Sequence, residues 1–345
     1  MIQERFSPAA VTVAGIPGSL LFLLIAVVAI GVFAWVMVRR AAPLRRGAPD
    51  ARFNRIPERV GRVLKYWLGQ WRHPRYRLVG VLHIVVFFGF LILLIRSTEL
   101  VLLGIFDGFR MPGFGGPLGS VYDVLTEYAA TVVLVAVVIL AIRRAFFRPS
   151  RYAVPEQLGK DHTSEALLVL GLIGTLMICG SLFEASLLAA EPGAGPAPVL
   201  TATWAFEAWL AGAPVSTLAS IRLAAYVVHD LTFFFFLCLL PFGKHFHVIT
   251  SIFNVFFMRL DTGTVKPVRH GVSAAGLDDL ESFGVKRFED FTWKHMLDFY
   301  SCVDCGRCSD HCPANRVGRP LSPRFISIKA RDYAFEHYPV VGRSA

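Results

Sequence analysis

The chain has 345 residues, of which 54% are hydrophobic and 17% are charged, and its formal net charge is +10. This composition is too apolar for a soluble domain and indicates a protein that crosses a membrane several times. The basic residues are concentrated beside the apolar stretches, so the positive charge is explained by membrane topology and does not indicate nucleic-acid binding.

Five apolar stretches are each long enough to cross a bilayer, which requires roughly 20 helical residues. They run approximately over 17–38, 79–104, 121–142, 165–190 and 218–241. The first is interpreted as a true span and not as a signal peptide, because its apolar run is long and its basic residues follow it. The sequence therefore predicts an all-α membrane protein with a five-helix transmembrane bundle. Four cysteines between residues 302 and 312, with the spacing of a bacterial ferredoxin, predict in addition a small ferredoxin-like module at the C-terminal end.

Basic residues are unevenly divided among the predicted loops. Segment 39–77 holds twelve Lys or Arg residues against two acidic ones, and segment 143–160 holds five basic residues. Segment 105–120 has only Arg110, and segment 191–217 has no basic residue. By the positive-inside rule the N-terminus is outside and the C-terminus is cytoplasmic. We expect a multi-pass protein of the bacterial inner (cytoplasmic) membrane.

Two segments outside the predicted spans carry structural signals. Residues 191–217 contain Trp204 and Trp209, which are typical of a segment at the outer membrane interface. The helix of the fifth span is expected to continue to about residue 258 as it leaves the membrane. Residues 322–338 are expected to form one helix that packs on a preceding cysteine loop.

Histidines lie within or beside the second and fifth spans, where ionisable groups are costly and mark functional sites. His229 and His247 are eighteen residues apart, which on one helix is five full turns, one face, and about 27 Å along the axis. His245 points about 160° away from His229 on the same helix. We therefore expect His245 to meet lipid headgroups or backbone.

A b-type haem needs two axial histidines from facing helices at similar depth. His73 and His83 are ten residues apart, about 15 Å if helical. The spacing predicts an outer haem on His83 and His229 and an inner haem on His73 and His247. An alternative is that His73 is an interfacial loop histidine, since Pro74 disfavours helix before it. One haem then remains, with His83 paired to His229 or His247.

Four further ionisable residues lie within the spans, three of them near an outer end and Asp230 next to His229. Arg96 and Arg222 are candidates to pair with haem propionates, and the alternative is that they extend to the membrane surface. Glu184 and Asp230 are candidates for proton exchange at a quinone site.

The segment Ser301–Pro313 carries four cysteines with the spacing C-x2-C-x2-C-x3-C-P. They are Cys302, Cys305, Cys308 and Cys312. This is the bacterial ferredoxin pattern for an iron–sulfur cluster, in which short spacers direct the thiolates to the corners of one cubane. Zinc is the alternative, but it usually takes two separated ligand pairs. A disulfide is disfavoured in the reducing cytoplasm.

The fourth cysteine of such a run binds a second cluster in two-cluster ferredoxins. No second run exists in this sequence, because the remaining cysteines, Cys179 and Cys238, lie in apolar stretches. Either the continuation of the chain supplies the second run, or a partner does, or the four cysteines hold one cluster. We expect a fragment, with a membrane domain over 1–258 and an incomplete [4Fe–4S] module over 259–345.

These features carry a family resemblance. The five-span plan with histidines on spans two and five resembles the cytochrome b (gamma) subunit of respiratory nitrate reductase. Several stretches are similar to membrane Fe–S oxidoreductases related to heterodisulfide reductase. These stretches are Gly80-Val81-Leu82-His83, Phe88-Gly89-Phe90, Pro241-Phe242-Gly243-Lys244-His245-Phe246-His247, Asn254-Val255-Phe256-Phe257, Tyr300 to Pro313 and Pro320-Leu321-Ser322-Pro323.

That group includes membrane-bound electron-transfer-flavoprotein:menaquinone oxidoreductases, which fuse such a cytochrome b to a two-cluster ferredoxin module and cysteine-rich domains. The resemblance implies electron transfer between a cytoplasmic donor and menaquinone or ubiquinone through [4Fe–4S] clusters and one or two haems b. The implied donor is an electron-transfer flavoprotein or a cysteine-rich Fe–S subunit. This sequence departs from the group by ending after the first cysteine run.

A different class of function is also compatible with these residues. The chain is then a non-catalytic membrane anchor for a cytoplasmic oxidoreductase, such as a heterodisulfide-reductase-like or nitrate-reductase-like complex. It would hold the cluster without turning over quinone. A transporter is disfavoured, because it leaves the cysteine run unexplained.

Overall fold

The computed structural model describes residues 7–147, 152–154, 162–191, 193, 195–261 and 285–342. Their longer helices are α1 Gly18–Arg46, α2 Ile56–Arg62, α3 Arg77–Ile105, α4 Gly116–Phe146, α5 Thr163–Ala190, α6 Ala202–Leu210, α7 Val215–Leu239, α8 His247–Phe256 and α9 Trp293–Tyr300. Three helices follow in the cysteine region, α10 Arg307–Asp310, α11 Pro313–Arg316 and α12 Pro323–His337. The strands β1 Thr12–Val13 and β2 Ile16–Pro17 form a short antiparallel pair.

Within the described residues, five helical segments are long and apolar enough to cross a membrane. They are α1, α3, α4, α5 and Val215–Phe242. The all-α, five-span prediction is therefore confirmed. The helices extend beyond the apolar stretches; α1 continues through Pro43 to Arg46. Hydropathy changes sign at Arg39, whereas the Arg and Ala residues that follow still favour helix.

The expectation that the fifth span continues as one helix to residue 258 is wrong. Helix α7 ends at Leu239, two 3₁₀ turns cover Leu240–Phe242 and Lys244–Phe246, and α8 begins at His247. Pro241 lacks the N–H that a helix needs, and Gly243 between the turns is extended, with φ −150° and ψ −157°. The argument that placed His229 and His247 on one helical face therefore does not apply.

The described chain divides into two compact units. The first comprises Met1–Val32, His73–Arg148 and His162–Cys238, and the second Phe33–Arg72, Pro149–Asp161 and Leu239–Ala345. The predicted boundary at residue 258 separates a haem-binding membrane domain from an iron–sulfur module, and this division by cofactor stays a prediction. The two compact units do not follow that boundary. Phe33–Arg72 and the residues from Leu239 to 258 belong to the same unit as the cysteine loop.

The core of the first unit is built by apolar residues of α3, α4 and α5. Leu93, Val133, Val137, Leu176 and Met177 form one buried cluster. Helices α3 and α4 approach closely at Gly89, where a Cβ atom would lie 2.2 Å from Val133 Cγ2. The absent side chain therefore sets the spacing of these two helices.

A buried tyrosine joins three helices of the same unit. The hydroxyl of Tyr226 on α7 donates to the carbonyl oxygen of Leu100 on α3 at 3.0 Å. Its ring meets Phe22 of α1 edge to face, with centroids 4.9 Å apart. The hydroxyl thus has a partner in the apolar interior, as a buried tyrosine requires.

The core of the second unit surrounds the helix that precedes the cysteine loop. Its buried members are Phe246, Phe288, Met296, Phe299, Tyr300, Ala334 and Tyr338. At the C-terminal end of α1, Arg39 donates to the carbonyl oxygens of Val340 and Pro339 at 3.2 and 3.1 Å. The basic end of α1 thereby binds the irregular segment that follows α12.

Three basic loop residues used for the topology argument, Arg148, Arg151 and Lys160, lie outside the described residues, as does 262–284 of the predicted link.

Candidate functional site

The cysteine loop is shaped by two residues with left-handed backbone conformations. After α9 ends at Tyr300, Asp304 has φ 55° and Gly306 has φ 73°. These turns reverse the chain between consecutive cysteines, and glycine and aspartate are among the residues that adopt them readily. Cys308 lies on α10, and Cys312 is the residue before α11.

All four cysteines are free thiols in the structure, Cys308 being exposed and the others partly buried. Cys305 lies between Cys302 and Cys308 in the sequence, and the electrostatic interaction of its thiol with each of them indicates that the three thiols are near one another. Burial raises the pKa of the Cys302 thiol, and a hydrogen bond from the Asp304 backbone opposes that shift. Soft thiolates are the ligands that iron–sulfur clusters take, so the donor set and the loop fit such a cluster.

In the described part of the chain, no three His, Cys, Asp or Glu side chains surround a single ion position. A [4Fe–4S] cluster does not require that arrangement, because each of its four thiolates binds a different iron.

A buried ion pair holds the cysteine loop against α12. The Arg324 guanidinium donates through Nε to the Asp304 carboxylate, and their side chains are only 4% and 2% exposed. The same guanidinium donates to the carbonyl oxygens of Ala153 and Tyr152 at 2.9 and 3.3 Å. All three nitrogens of the Arg324 guanidinium therefore donate hydrogen bonds, and one of these bonds holds Asp304, the loop residue with a left-handed backbone conformation.

A second arginine of α12 contacts the first cysteine directly. Arg331 donates through Nη1 to the carbonyl oxygen of Cys302 at 3.2 Å, and its side chain is 1% exposed. Its remaining nitrogens donate to Asp332 at 3.2 Å. The predicted helix over 322–338 and its packing on the cysteine loop are thus confirmed. A buried cation at this point favours the negatively charged thiolate of Cys302.

The predicted spacing of His73 and His83 along one helix is wrong. His73 lies in the 3₁₀ turn His73–Arg75, before α3 begins at Arg77. Pro74 disfavours helix at His73, and the turn folds back. The two imidazole rings are stacked, with centroids 4.4 Å apart and planes 13° from parallel, in place of the expected 15 Å separation.

Gly80 makes this fold-back geometrically feasible. A Cβ atom at Gly80 would lie 1.9 Å from the carbonyl oxygen of His73, a backbone atom. We therefore expect Gly80→Ala to displace His73 and to lower the free energy of unfolding by about 1–3 kcal/mol, the usual range for overpacking. Thermal unfolding checks this, with Gly31→Ala as the control. Gly31 is also helical and its Cβ would meet nothing within 4 Å. Equal unfolding temperatures for the two variants would contradict the expectation.

His229 is buried, with 3% exposure, and lines a polar cavity in the first unit. The cavity has a volume of about 30 Å³. Its lining is Leu93, Arg96, Ser97, Leu100, Thr126, Glu127, Ala130, Leu176, Met177, Gly180, Ser181, Glu184 and His229. His229 Nδ1 and Ser181 Oγ are buried without a hydrogen-bond partner among the described residues. Such atoms need a polar ligand or water.

His83 does not line the cavity that contains His229. The α3 residues beside His229 in the cavity begin at Leu93, ten residues and about 15 Å of helix beyond His83. The pairing of His83 with His229 on one haem stays a prediction.

The ring of His247 has a different environment. Its Nδ1 lies 2.8 Å from the carbonyl oxygen of Lys244, and since a carbonyl only accepts, Nδ1 carries the proton. This orients the ring in the way typical of metal-ligating histidines. The ring of His245 is 6.1 Å from that of His247. Haem ligation by His73, His83, His229 and His247 stays a prediction.

The two arginines proposed to meet haem propionates have partners within the protein. Arg96 pairs with Glu184 and lies 3.3 Å from Glu99. Arg222 is buried, donates to the carbonyl oxygen of Phe183, and its guanidinium lies 3.5 Å from the centre of that ring. Their propionate role stays a prediction.

Glu127 and Ser181 are among the cavity residues that sequence reasoning missed. Glu127 lies within the third span and accepts a hydrogen bond from the hydroxyl of Thr203 on α6. Ser181 lies within the fourth span. An ionisable residue inside an apolar stretch is a signal that would have found Glu127. Ser181 carries no such signal, because serine is common in membrane helices.

The chain is similar to two curated oxidoreductases over most of its length. It is 29% identical to "Probable iron-sulfur-binding oxidoreductase FadF" of Bacillus subtilis over 323 residues, which are 93% of this chain and 43% of FadF. It is 26% identical to "EtfAB:quinone oxidoreductase" of Syntrophomonas wolfei over 291 residues, which are 81% of this chain and 38% of that protein. The chain thus spans about two fifths of the length of each.

A third similarity covers a short segment and has a higher percentage identity. Over 55 residues the chain is 47% identical to "Probable membrane-anchored ferredoxin" of Chromohalobacter salexigens, covering 16% of this chain and 8% of that protein. No protein-family model matches the chain, and no solved structure matches it. The names of these relatives refer to iron–sulfur binding, to a quinone and to a membrane-anchored ferredoxin.

Proposed function

We propose that this chain transfers electrons between a cytoplasmic redox protein and a membrane quinone through a [4Fe–4S] cluster held by Cys302, Cys305, Cys308 and Cys312. The observation that carries the proposal is the ferredoxin-type cysteine loop, fixed by buried arginines, on a chain with five membrane-spanning helices. The cluster supplies one-electron redox chemistry when bound. The names of the two long relatives support the oxidoreductase and quinone parts.

The orientation and the soluble partner belong to the same proposal. The asymmetry of basic residues supports a cytoplasmic C-terminal region in a bacterial inner membrane. The relative named EtfAB:quinone oxidoreductase supports an electron-transfer flavoprotein as the donor. Menaquinone or ubiquinone would be the acceptor, and electrons would pass in either direction according to the two potentials.

The residues of the polar cavity suit the proton side of quinone chemistry. Reduction of a quinone to a quinol takes two electrons and two protons, so acidic groups near the quinone are required. Glu184 and Glu127 line the cavity together with His229, and Arg96 pairs with Glu184 at its wall. We assign proton exchange to Glu184, with the buried Asp230 as a neighbour of His229 in sequence.

Haem b is a further part of the proposal. It rests on the presence of histidines within or beside the second and fifth spans and on the orientation of His247 by Lys244. A pyridine haemochrome assay on the purified protein tests it, and the absence of haem b would remove this part and leave the cluster assignment intact.

A stopped-flow experiment tests the quinone reaction. The purified protein in liposomes is reduced with dithionite, mixed with a soluble naphthoquinone, and the reoxidation of the cluster is followed by its visible absorption. We expect reoxidation in the wild type and a rate lower by about tenfold or more in Glu184→Gln, within the range for loss of a proton-transfer group. Glu165→Gln is the control, because Glu165 lies on the same helix and does not line the cavity.

The short similarity to the membrane-anchored ferredoxin favours a second candidate, a membrane anchor that carries a cluster for a separate oxidoreductase. It predicts a reducible cluster that no quinone reoxidises. A wild-type cluster that stays reduced after naphthoquinone is added would therefore replace the first proposal with the second.

A further inference from the structure

A helical segment between the first two spans presents an apolar row to solvent. Helix α2 continues into a π-helical segment, Val63–Leu68. Ile56, Val60, Leu64 and Leu68 are 43%, 44%, 55% and 38% exposed, and we call these four residues the apolar row. Trp71, which follows, is 69% exposed. Large apolar side chains that share one exposed face indicate an interaction surface.

The geometry of the helix keeps the apolar row on one face. A repeat of four residues turns by about 40° per step on an α-helix of 3.6 residues per turn. The π-helical segment has wider turns, because its hydrogen bonds join residues five apart. This reduces the drift, so Val60, Leu64 and Leu68 stay aligned.

A different face of the same helix is already occupied. Arg59 is 3% exposed and donates to the carbonyl oxygens of Phe256 and Met258 at 3.1 and 3.0 Å. Trp67 donates through Nε1 to Ser251 Oγ at 3.1 Å. The helix is therefore fixed on α8 by one face and carries the apolar row on another.

The charge beside the apolar row indicates what covers it. Residues 53–77 contain seven basic residues and one acidic residue, Glu58. Lys65 and Arg72 are exposed beside Trp71, with Lys65 Nζ 5.3 Å from the Trp71 ring. An apolar face flanked by lysine, arginine and tryptophan is the pattern of a helix that lies in the interface of an anionic bilayer.

Chain connectivity favours the membrane over a soluble partner. Helix α1 ends at Arg46 and helix α3 begins at Arg77, and both are long and apolar enough to span the bilayer. The segment between them is therefore tethered to the membrane at both ends within thirty residues.

We propose that residues 53–72 form an interfacial membrane element. The apolar row and Trp71 enter the boundary between headgroups and acyl chains, and Lys65 and Arg72 bind the phosphates of anionic lipids. The inference is independent of the cluster and of quinone chemistry, so its failure would leave the proposed function untouched.

Quenching of tryptophan fluorescence by lipids brominated in their acyl chains tests this proposal. The protein is placed in nanodiscs of neutral lipid, or of neutral lipid mixed with phosphatidylglycerol. The contribution of Trp71 is obtained as the difference between the wild type and Trp71→Phe. Trp67→Phe is the matched control, because Trp67 lies on the same segment and faces α8.

We expect the Trp71 contribution to fall by half or more with brominated lipid, and the Trp67 contribution to change less. Anionic lipid should increase the quenching of Trp71 in the wild type. Neutralising Lys65 and Arg72 in Lys65→Gln/Arg72→Gln should remove most of that increase, since each cation contributes about fivefold to the attraction. Equal quenching of Trp71 and Trp67, or no response to lipid charge, would overturn the proposal. A face covered by a protein partner would give the first of these results.

Discussion

Replacing Cys305 by alanine is expected to abolish the iron–sulfur centre. Cys305 is one of the four cysteines of the motif, and the other two cysteines of the sequence, Cys179 and Cys238, lie in apolar spans, so the motif has no spare thiol to take its place. A [4Fe–4S] cluster bound by four cysteines loses one of its irons or dissociates when a ligand is removed. The EPR signal of the reduced [4Fe–4S] cluster should therefore fall by at least about tenfold, because either outcome removes the intact four-iron centre.

The matched control for this change is Cys238→Ser. Cys238 lies on α7, outside the motif, and its thiol donates to the carbonyl oxygen of Ala29 at 3.4 Å, a bond that a serine hydroxyl can also make. Its iron content should equal that of the wild type. A full cluster signal in Cys305→Ala would show that the four-cysteine assignment is mistaken.

Among the substitutions proposed for this chain, Arg324→Ala is expected to lower the free energy of unfolding most. It leaves the Asp304 carboxylate, 2% exposed, without its cation inside the loop that carries the cysteines. Removing one partner of a buried ion pair costs about 3–5 kcal/mol, because the other charge stays desolvated and unpaired. The unfolding temperature should fall, and the cluster should be lost faster on dilution, since the left-handed turn at Asp304 is no longer held.

The comparison with Arg324→Ala/Asp304→Asn separates the ion pair from other effects. Removing the stranded charge should recover part of the stability, as a double-mutant cycle detects. Arg319→Ala serves as the surface control, because Arg319 is also an arginine, lies five residues before Arg324 and is exposed to solvent. If Arg324→Ala were no less stable than Arg319→Ala, the supporting role of the ion pair would be refuted.

Local patterns in the sequence were sufficient for the main features. The cysteine spacing identifies the candidate cluster loop from the sequence alone. All four predicted ligands lie within eleven residues, so no contact between distant residues has to be known. The spans follow from apolar stretches of bilayer length, and α12 follows from a serine cap and a proline at its start, with the Ser322 hydroxyl accepting from the Phe325 N–H.

Features that depend on distant residues were not predictable in this way. The contact of Arg324 with Asp304 joins residues twenty apart, and nothing in either position marks the pair. The polar cavity draws on four helices and includes Ser181, which looks ordinary in its own span. The histidine arguments failed where they assumed an unbroken helix, although Pro74 and Pro241 marked both interruptions.

The measurement that tests the central claim most directly is the iron and acid-labile sulfide content of the purified wild-type protein, with an EPR spectrum after reduction. The account predicts about four irons and about four sulfides per chain, with a signal of a reduced [4Fe–4S] cluster. About eight irons would mean that a second cysteine run from elsewhere completes a two-cluster module. One zinc per chain without labile sulfide would contradict the account, and with it the proposed electron transfer.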